Sequence, residues 1–147
     1  MRRRRDDEGT ILLLTCGLAV VLMALVVVVV DVSVVVLAKR GVANAADGAA
    51  LLAAQQPDTR ALNVRRDALL SRLPLDRAAV VRAVARYQAD QVSSQPTLTM
   101  TATVTGRGNS IAVVQARRTV SLPFVSWFGI KSVVVRATGR ASSPVTT

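Results

Sequence analysis

Residues 10 to 30 read TILLLTCGLAVVLMALVVVVV, a run of 21 residues without a charged side chain. As an α-helix this run would extend about 31 Å, which matches the hydrocarbon core of a bilayer. The five consecutive valines at its end would favour a strand in water, but lipid requires every backbone polar group to be paired within the segment. The run therefore predicts one membrane-spanning helix. Asp31 ends the span, and residues 32–38 extend the helix beyond the hydrocarbon.

Composition limits what the remaining chain can do. The chain has 147 residues, a net charge of +10, no histidine, one cysteine and no glutamate after Glu8. This composition argues against histidine-based triads, most metal sites and a disulfide framework. The five Asp residues after the span form no recognisable pair motif, and no glycine-rich phosphate loop follows a predicted strand. We therefore expect no enzyme, no catalytic or metal-binding residues, no cofactor and no small-molecule substrate.

The flanking charges predict the direction of the span. Four arginines at residues 2 to 5 precede it, whereas only Lys39 and Arg40 follow it closely. The positive-inside rule then places the basic N-terminal segment, residues 1–9, in the cytoplasm and the C-terminal part outside the cell membrane. A cleaved secretory signal is the alternative, because residues 43 to 45 (Ala-Asn-Ala) have the form of a peptidase site. The apolar run is longer than the core of such a signal.

Residues 39–56, KRGVANAADGAALLAAQQ, predict an alanine-rich helix next to the membrane, whose small side chains would let another helix approach closely. Together with the span, this segment resembles the Flp pilus-assembly TadE/TadG-like family. That family has a basic, glycine-containing N-terminal segment, an apolar span ending in aspartate, and a second aspartate in an alanine-rich pattern. The matching residues are Gly9, Asp31, Ala45, Ala46, Asp47, Ala49, Ala50, Leu51, Ala53 and Ala54, and the two aspartates are 16 positions apart. Gly48 stands where the family usually has alanine.

The resemblance implies a non-catalytic, single-pass membrane component of a Tad-type pilus or a related envelope assembly. Its partners would be other pilus-assembly or pseudopilin-like proteins, including a second copy of the chain, bound through the small-residue face of residues 43–54. Prepilins are cut after a glycine and carry glutamate at the fifth mature position. With a cut between Gly9 and Thr10 that position is Leu14, so the glutamate is missing. Its absence argues against this kind of cleavage, but both a cleaved and an uncleaved chain remain open.

Residues 57–142 predict a small exported domain. Leucine spacing favours a helix over residues 59–73, and Asp76 is suited to cap a second helix that ends near Val92. Residues 97–105, TLTMTATVT, alternate as a half-buried strand does, and GRGN at residues 106–109 predicts a hairpin turn. Further strands are expected over 111–122 and 130–141. In the first of these the apolar residues in phase are Ala112, Val114, Ala116, Val120 and Leu122.

The predicted fold class is therefore α+β. A long N-terminal transmembrane helix extends into an exported domain of short helices and a three-stranded antiparallel sheet, which lies against the distal part of the helix. This arrangement is similar to the plan of pilin-like proteins. Residues 143–147 are expected to form a flexible tail. Phe124, Trp127 and Phe128 lie in one loop, either as a plug of the sheet's end or as a hydrophobic contact for a partner or the outer membrane surface.

The charge of the exported part leaves a second function open. Residues 39–147 carry 15 Lys and Arg residues against five Asp residues. The arginines concerned are Arg65, Arg66, Arg72, Arg77, Arg82, Arg86, Arg117, Arg118, Arg136 and Arg140. They would suit a membrane-anchored module that binds anionic polymers such as DNA, teichoic acid or lipid headgroups. Few aromatic residues lie among them, which argues against base stacking. An arginine-rich genome is the alternative explanation.

Overall fold

The computed structural model describes residues 3–60, 73–122, 124, 129 and 132–143. Its elements are α1 (Arg3–Ala54), α2 (Arg77–Gln91), β1 (Leu98–Thr105), β2 (Ile111–Ser121) and β3 (Ser132–Ser142). The strands form one sheet in the order β1-β2-β3, and both pairs are antiparallel. The predicted α+β class is confirmed. Most of the helix predicted over residues 59–73, Trp127, Phe128 and residues 144–147 lie outside the described part.

Helix α1 is continuous over 52 residues, a length of about 78 Å. Its portion Gly9–Ala54 is the one described helix long and apolar enough to cross a membrane. Large apolar side chains before Asp31 are exposed, Leu13 for example by 75%, whereas Asp31 itself is only 5% exposed. The helix therefore has a bare apolar half, residues 10–30, and a second half on which the rest of the chain folds. That folded remainder is called the head below.

The sheet packs lengthwise on the second half of α1. One cluster of buried residues joins the helix to the ends of the strands nearest the bare half, and another follows it along the helix. The first contains Ala38, Val42, Ala45, Ala46, Leu98, Ala116, Val120 and Val135; the second contains Ala49, Ala50, Ala53, Leu75, Val80, Val84, Val104, Ala112 and Val114. The alternate residues of β1 and β2 predicted to face inward do so. Each strand therefore runs along the helix.

Helix α2 covers the second cluster and one edge of the sheet. Asp76 caps it, since its Oδ1 accepts hydrogen bonds from the N–H groups of Ala78 and Ala79 at 2.8 and 3.3 Å. This confirms the predicted cap. The side-chain Oε1 of Gln88 accepts the N–H of Met100 at 2.8 Å, which satisfies a donor on edge strand β1. Helix α2 is thus fixed both to the core and to the sheet.

The predicted hairpin turn is also confirmed. Gly106, Gly108 and Asn109 have φ values of 88°, 69° and 57° between β1 and β2. Glycine and asparagine tolerate this left-handed region, which explains their presence here. The Asn109 carbonyl accepts the N–H of Leu75 at 3.0 Å, so the turn also holds the segment that leads into α2.

Candidate functional site

The two aspartates of the family pattern have different surroundings. A separation of 16 residues turns a helix by about 160° beyond full turns, so the side chains leave α1 on nearly opposite sides. Asp31 is buried at the start of the head, where its Oδ1 accepts the N–H of Phe124 at 3.4 Å. Asp47 is exposed. Only the first aspartate therefore joins the helix to the sheet domain.

The alanine-rich face of α1 is covered by the chain itself. Ala45, Ala46, Ala49, Ala50, Ala53 and Ala54 are at most 5% exposed. Gly139 of β3 lies so close that an added Cβ would be 2.8 Å from the backbone nitrogen of Asp47 and in direct contact with the carbonyl oxygen of Ala46. The expectation that this face receives another helix therefore has to be revised. Small side chains allow close approach by any backbone, and here the approaching backbone is β3.

Gly48, where the sequence departs from the usual alanine, makes room for α2. A Cβ at this position would lie 2.7 Å from the hydroxyl oxygen of Tyr87 and 3.3 Å from its Cζ. Tyr87 is half-buried and packs against both clusters of the core. The glycine thus allows an aromatic side chain of α2 to lie across the helix.

Other surfaces of α1 remain open in the head. Leu37 and Leu51 are exposed by 71% and 60%, and Lys39, Arg40 and Asp47 are exposed with them. Near the start of the head, an apolar groove of about 290 Å³ lies between α1 and Leu122. Val28, Val32, Val35, Val36 and Asp31 complete its lining. It continues the exposed apolar surface of the bare half.

The outward face of the sheet carries a regular grid of polar side chains. One row across the three strands is Thr99, Arg117 and Arg136, and the next is Thr101, Gln115 and Thr138. All six side chains are exposed, and they line a shallow depression of about 390 Å³ together with two alanines. This grid has no counterpart in the family pattern. The threonine alternation predicted the exposed face, but the pairing of the two arginines required the register.

The remaining arginines are dispersed. Arg77, Arg82 and Arg86 are exposed on α2, and Arg140 is exposed on β3. Arg118 points to the inner side of the sheet, and its Nε is buried without a hydrogen bond to the part of the chain that is described. Arg65, Arg66 and Arg72 lie outside that part. Across the described ranges, no group of three or more His, Cys, Asp or Glu side chains is placed to hold a metal ion.

The model of the putative Flp pilus-assembly TadE/G-like family matches residues 9–56. The match begins at Gly9 and ends just after α1, so it includes the bare half, Asp31 and the alanine-rich face. It confirms the resemblance seen in the sequence. Comparisons with curated proteins and with solved structures found no match. The family match and the candidate membrane helix together support a membrane protein related to pilus assembly.

Proposed function

We propose that this protein is a non-catalytic, single-pass membrane component of a Tad/Flp-type pilus or a related envelope assembly. The observation that carries the proposal is the change along α1 at Asp31, inside the segment that matches the family. Before Asp31 the helix is apolar and bare, and after it the helix is the core of a folded head. One helix thereby serves as membrane anchor and as scaffold.

The dimensions of α1 support this role. Residues 10–30 extend about 31 Å as a helix, so a bilayer that covers them ends where Asp31 is buried under the head. The helix has no break between these parts. The head would therefore rest directly on the membrane surface. The excess of arginine before the span supports a cytoplasmic N-terminus and an extracytoplasmic head.

Because the alanine-rich face of α1 is covered by the sheet, a partner would have to bind another part of the helix. Association with pilus-assembly or pseudopilin-like proteins, including a second copy of this chain, would use the bare half of α1 within the membrane and the exposed side that carries Leu37 and Leu51. Within lipid, helices associate through close packing rather than through the hydrophobic effect. Above the membrane, the two exposed leucines provide apolar contact points on an otherwise polar side.

Site-directed disulfide crosslinking in the native membrane tests this assignment. In a Cys16→Ala background, single cysteines at Leu37 and Leu51 should form crosslinks to a second copy or to cysteine-bearing assembly proteins. Ala46→Cys is the matched control, because Ala46 is 0% exposed and should remain uncrosslinked. Two outcomes would contradict the proposal. One is crosslinking at Ala46 equal to that at Leu37 and Leu51. The other is the absence of crosslinks from Leu37, from Leu51 and from Leu18 in the span.

A further inference from the structure

The outward face of the sheet has a feature that the membrane anchor does not explain. Arg117 of β2 lies directly opposite Arg136 of β3 in the antiparallel register. Like charges in directly opposed positions destabilise a sheet. From Gln91 to Thr147 the sequence contains six Lys and Arg residues and no Asp or Glu, so no carboxylate from the strands or their loops neutralises the pair.

The first of these arginines is held in place before any ligand arrives. The Nε–H of Arg117 donates to Oγ1 of Thr99 at 2.9 Å. The hydroxyl of Thr99 in turn donates to the carbonyl oxygen of Arg117 at 3.4 Å. This bond occupies Nε and leaves the terminal nitrogens of the guanidinium as donors beside Arg136. A fixed guanidinium loses less conformational entropy on binding than a mobile one.

Neutral hydrogen-bonding groups lie next to the two charges. Thr101, Gln115 and Thr138 form the adjacent row, about 7 Å along the strands. One row further, Arg140 continues the face. Guanidinium groups bind the oxygens of phosphate by charge-assisted hydrogen bonds, and hydroxyl and amide groups can donate to the remaining oxygens. The face is thus a cationic row, a neutral polar row and a second cationic position, in line along β3.

We propose that this face binds a linear phosphodiester polymer, with one phosphate group between Arg117 and Arg136 and the chain continuing toward Arg140. The residues of the three rows include no aromatic side chain, so recognition is of phosphate and not of bases. A bilayer is a poorer fit. The strands run along α1, so the face lies along the helix axis, across the plane of a membrane that α1 spans. This binding is separate from the anchoring function, and it does not depend on the protein acting in a pilus.

The test uses the full chain in zwitterionic detergent micelles and a labelled single-stranded oligonucleotide as the phosphodiester probe. The double variant Arg117→Gln/Arg136→Gln should bind about tenfold more weakly or worse, since two charged donors are lost. The slope of log affinity against log salt should fall in magnitude by about 0.7, for the loss of one neutralised phosphate. Arg82→Gln/Arg86→Gln removes the same charge from α2 and is the matched control. It should change the affinity less than the first variant does.

Competition identifies what is recognised. Unlabelled linear polyphosphate, which has no bases, should displace the oligonucleotide from the wild-type chain. The proposal is overturned if the wild-type chain does not bind at low salt, if both double variants lose affinity equally, or if polyphosphate fails to compete. It is also overturned if phosphatidylglycerol vesicles compete as well as polyphosphate at equal accessible phosphate. Thermal unfolding of the Arg117→Gln/Arg136→Gln variant should occur no earlier than that of the wild type, because the substitution removes a like-charge pair.

Discussion

The Oδ1 atom of Asp31 accepts a hydrogen bond from the backbone N–H of Phe124, 93 positions later in the chain, at 3.4 Å. This bond joins the point where the bare half of α1 ends to the turn that follows β2. The side chain of Phe124 is 48% exposed at the same end of the head. Asp31, which the sequence places at the edge of the predicted membrane span, therefore also attaches the head to α1.

Replacing Asp31 should loosen this end of the head. In Asp31→Ala the N–H of Phe124 loses its acceptor at a part-buried site, and the loss of such a hydrogen bond typically costs about 0.5 to 1.5 kcal/mol. Asp31→Asn retains an oxygen acceptor and should cost less. The free energy of unfolding, measured by chemical denaturation in detergent, should follow the order wild type, Asn, Ala. Asp47→Ala is the exposed control, with an expected change within about 0.5 kcal/mol. Equal stability of the Asp31→Ala and Asp47→Ala variants would refute this role.

Gly139 is expected to tolerate no larger residue. The Cβ of Gly139→Ala would meet the backbone of α1 at Ala46 and Asp47, which cannot move away as a side chain could. Overpacking of this kind costs about 1 to 3 kcal/mol or more. Thermal unfolding of the head should therefore begin at a lower temperature. Gly17→Ala, with nothing within 4 Å of its added Cβ, is the control; alanine is the better helix former there, so its head should unfold no earlier than that of the wild type. A Gly139→Ala variant as stable as the control would show that the sheet is not seated this closely.

Gly48 and Tyr87 should be energetically coupled. Gly48→Ala gains about 1 kcal/mol of helix propensity, but its Cβ meets the hydroxyl of Tyr87 at 2.7 Å. Tyr87→Phe removes that oxygen. We therefore expect Gly48→Ala to be more favourable in the Tyr87→Phe background than in the wild type, by about 0.5 kcal/mol or more in a double-mutant cycle. Additive effects of the two substitutions would mean that helix α2 does not cross α1 at this glycine.

The N-terminal segment should remain attached to the protein. Leu14 occupies the position where a prepilin-type sequence cut after Gly9 carries glutamate, so the carboxylate used in filament assembly is missing. Mass spectrometry of the protein from its native membrane should recover residues 1–9 joined to Thr10. Detection of a mature chain that begins at Thr10, lost on substitution of Gly9, would instead establish maturation of the pseudopilin type.

Features that depend on neighbours in sequence could be predicted without the structure. The bare half of α1 follows from an uncharged run of bilayer length, the hairpin from Gly106 and Asn109, and the cap of α2 from Asp76. The inward residues of β1 and β2 follow from alternation with period two. Each of these signals is contained within a few turns of helix or one strand.

Features that depend on long-range packing could not be predicted in this way. The alanine density of α1 indicated a close neighbour but not whether it was another helix or β3. Gly139 carried a signal, since an isolated glycine inside a strand often marks close approach of another backbone, but it did not identify Ala46 as the contact. That Arg117 lies opposite Arg136 could be predicted only from the register of two strands. The number of arginines in the sequence gives no information on that register.

The unbroken course of α1 from Arg3 to Ala54 has a mechanical consequence. A hinge would let the head swivel while its anchor stayed still, but a rod without a joint transmits torque and tension from end to end. Any pull on the head is then transmitted along the helix to residues 10–30, and any rotation of that half about the helix axis turns the head with it. A partner that binds one end of α1 therefore also acts on the other end.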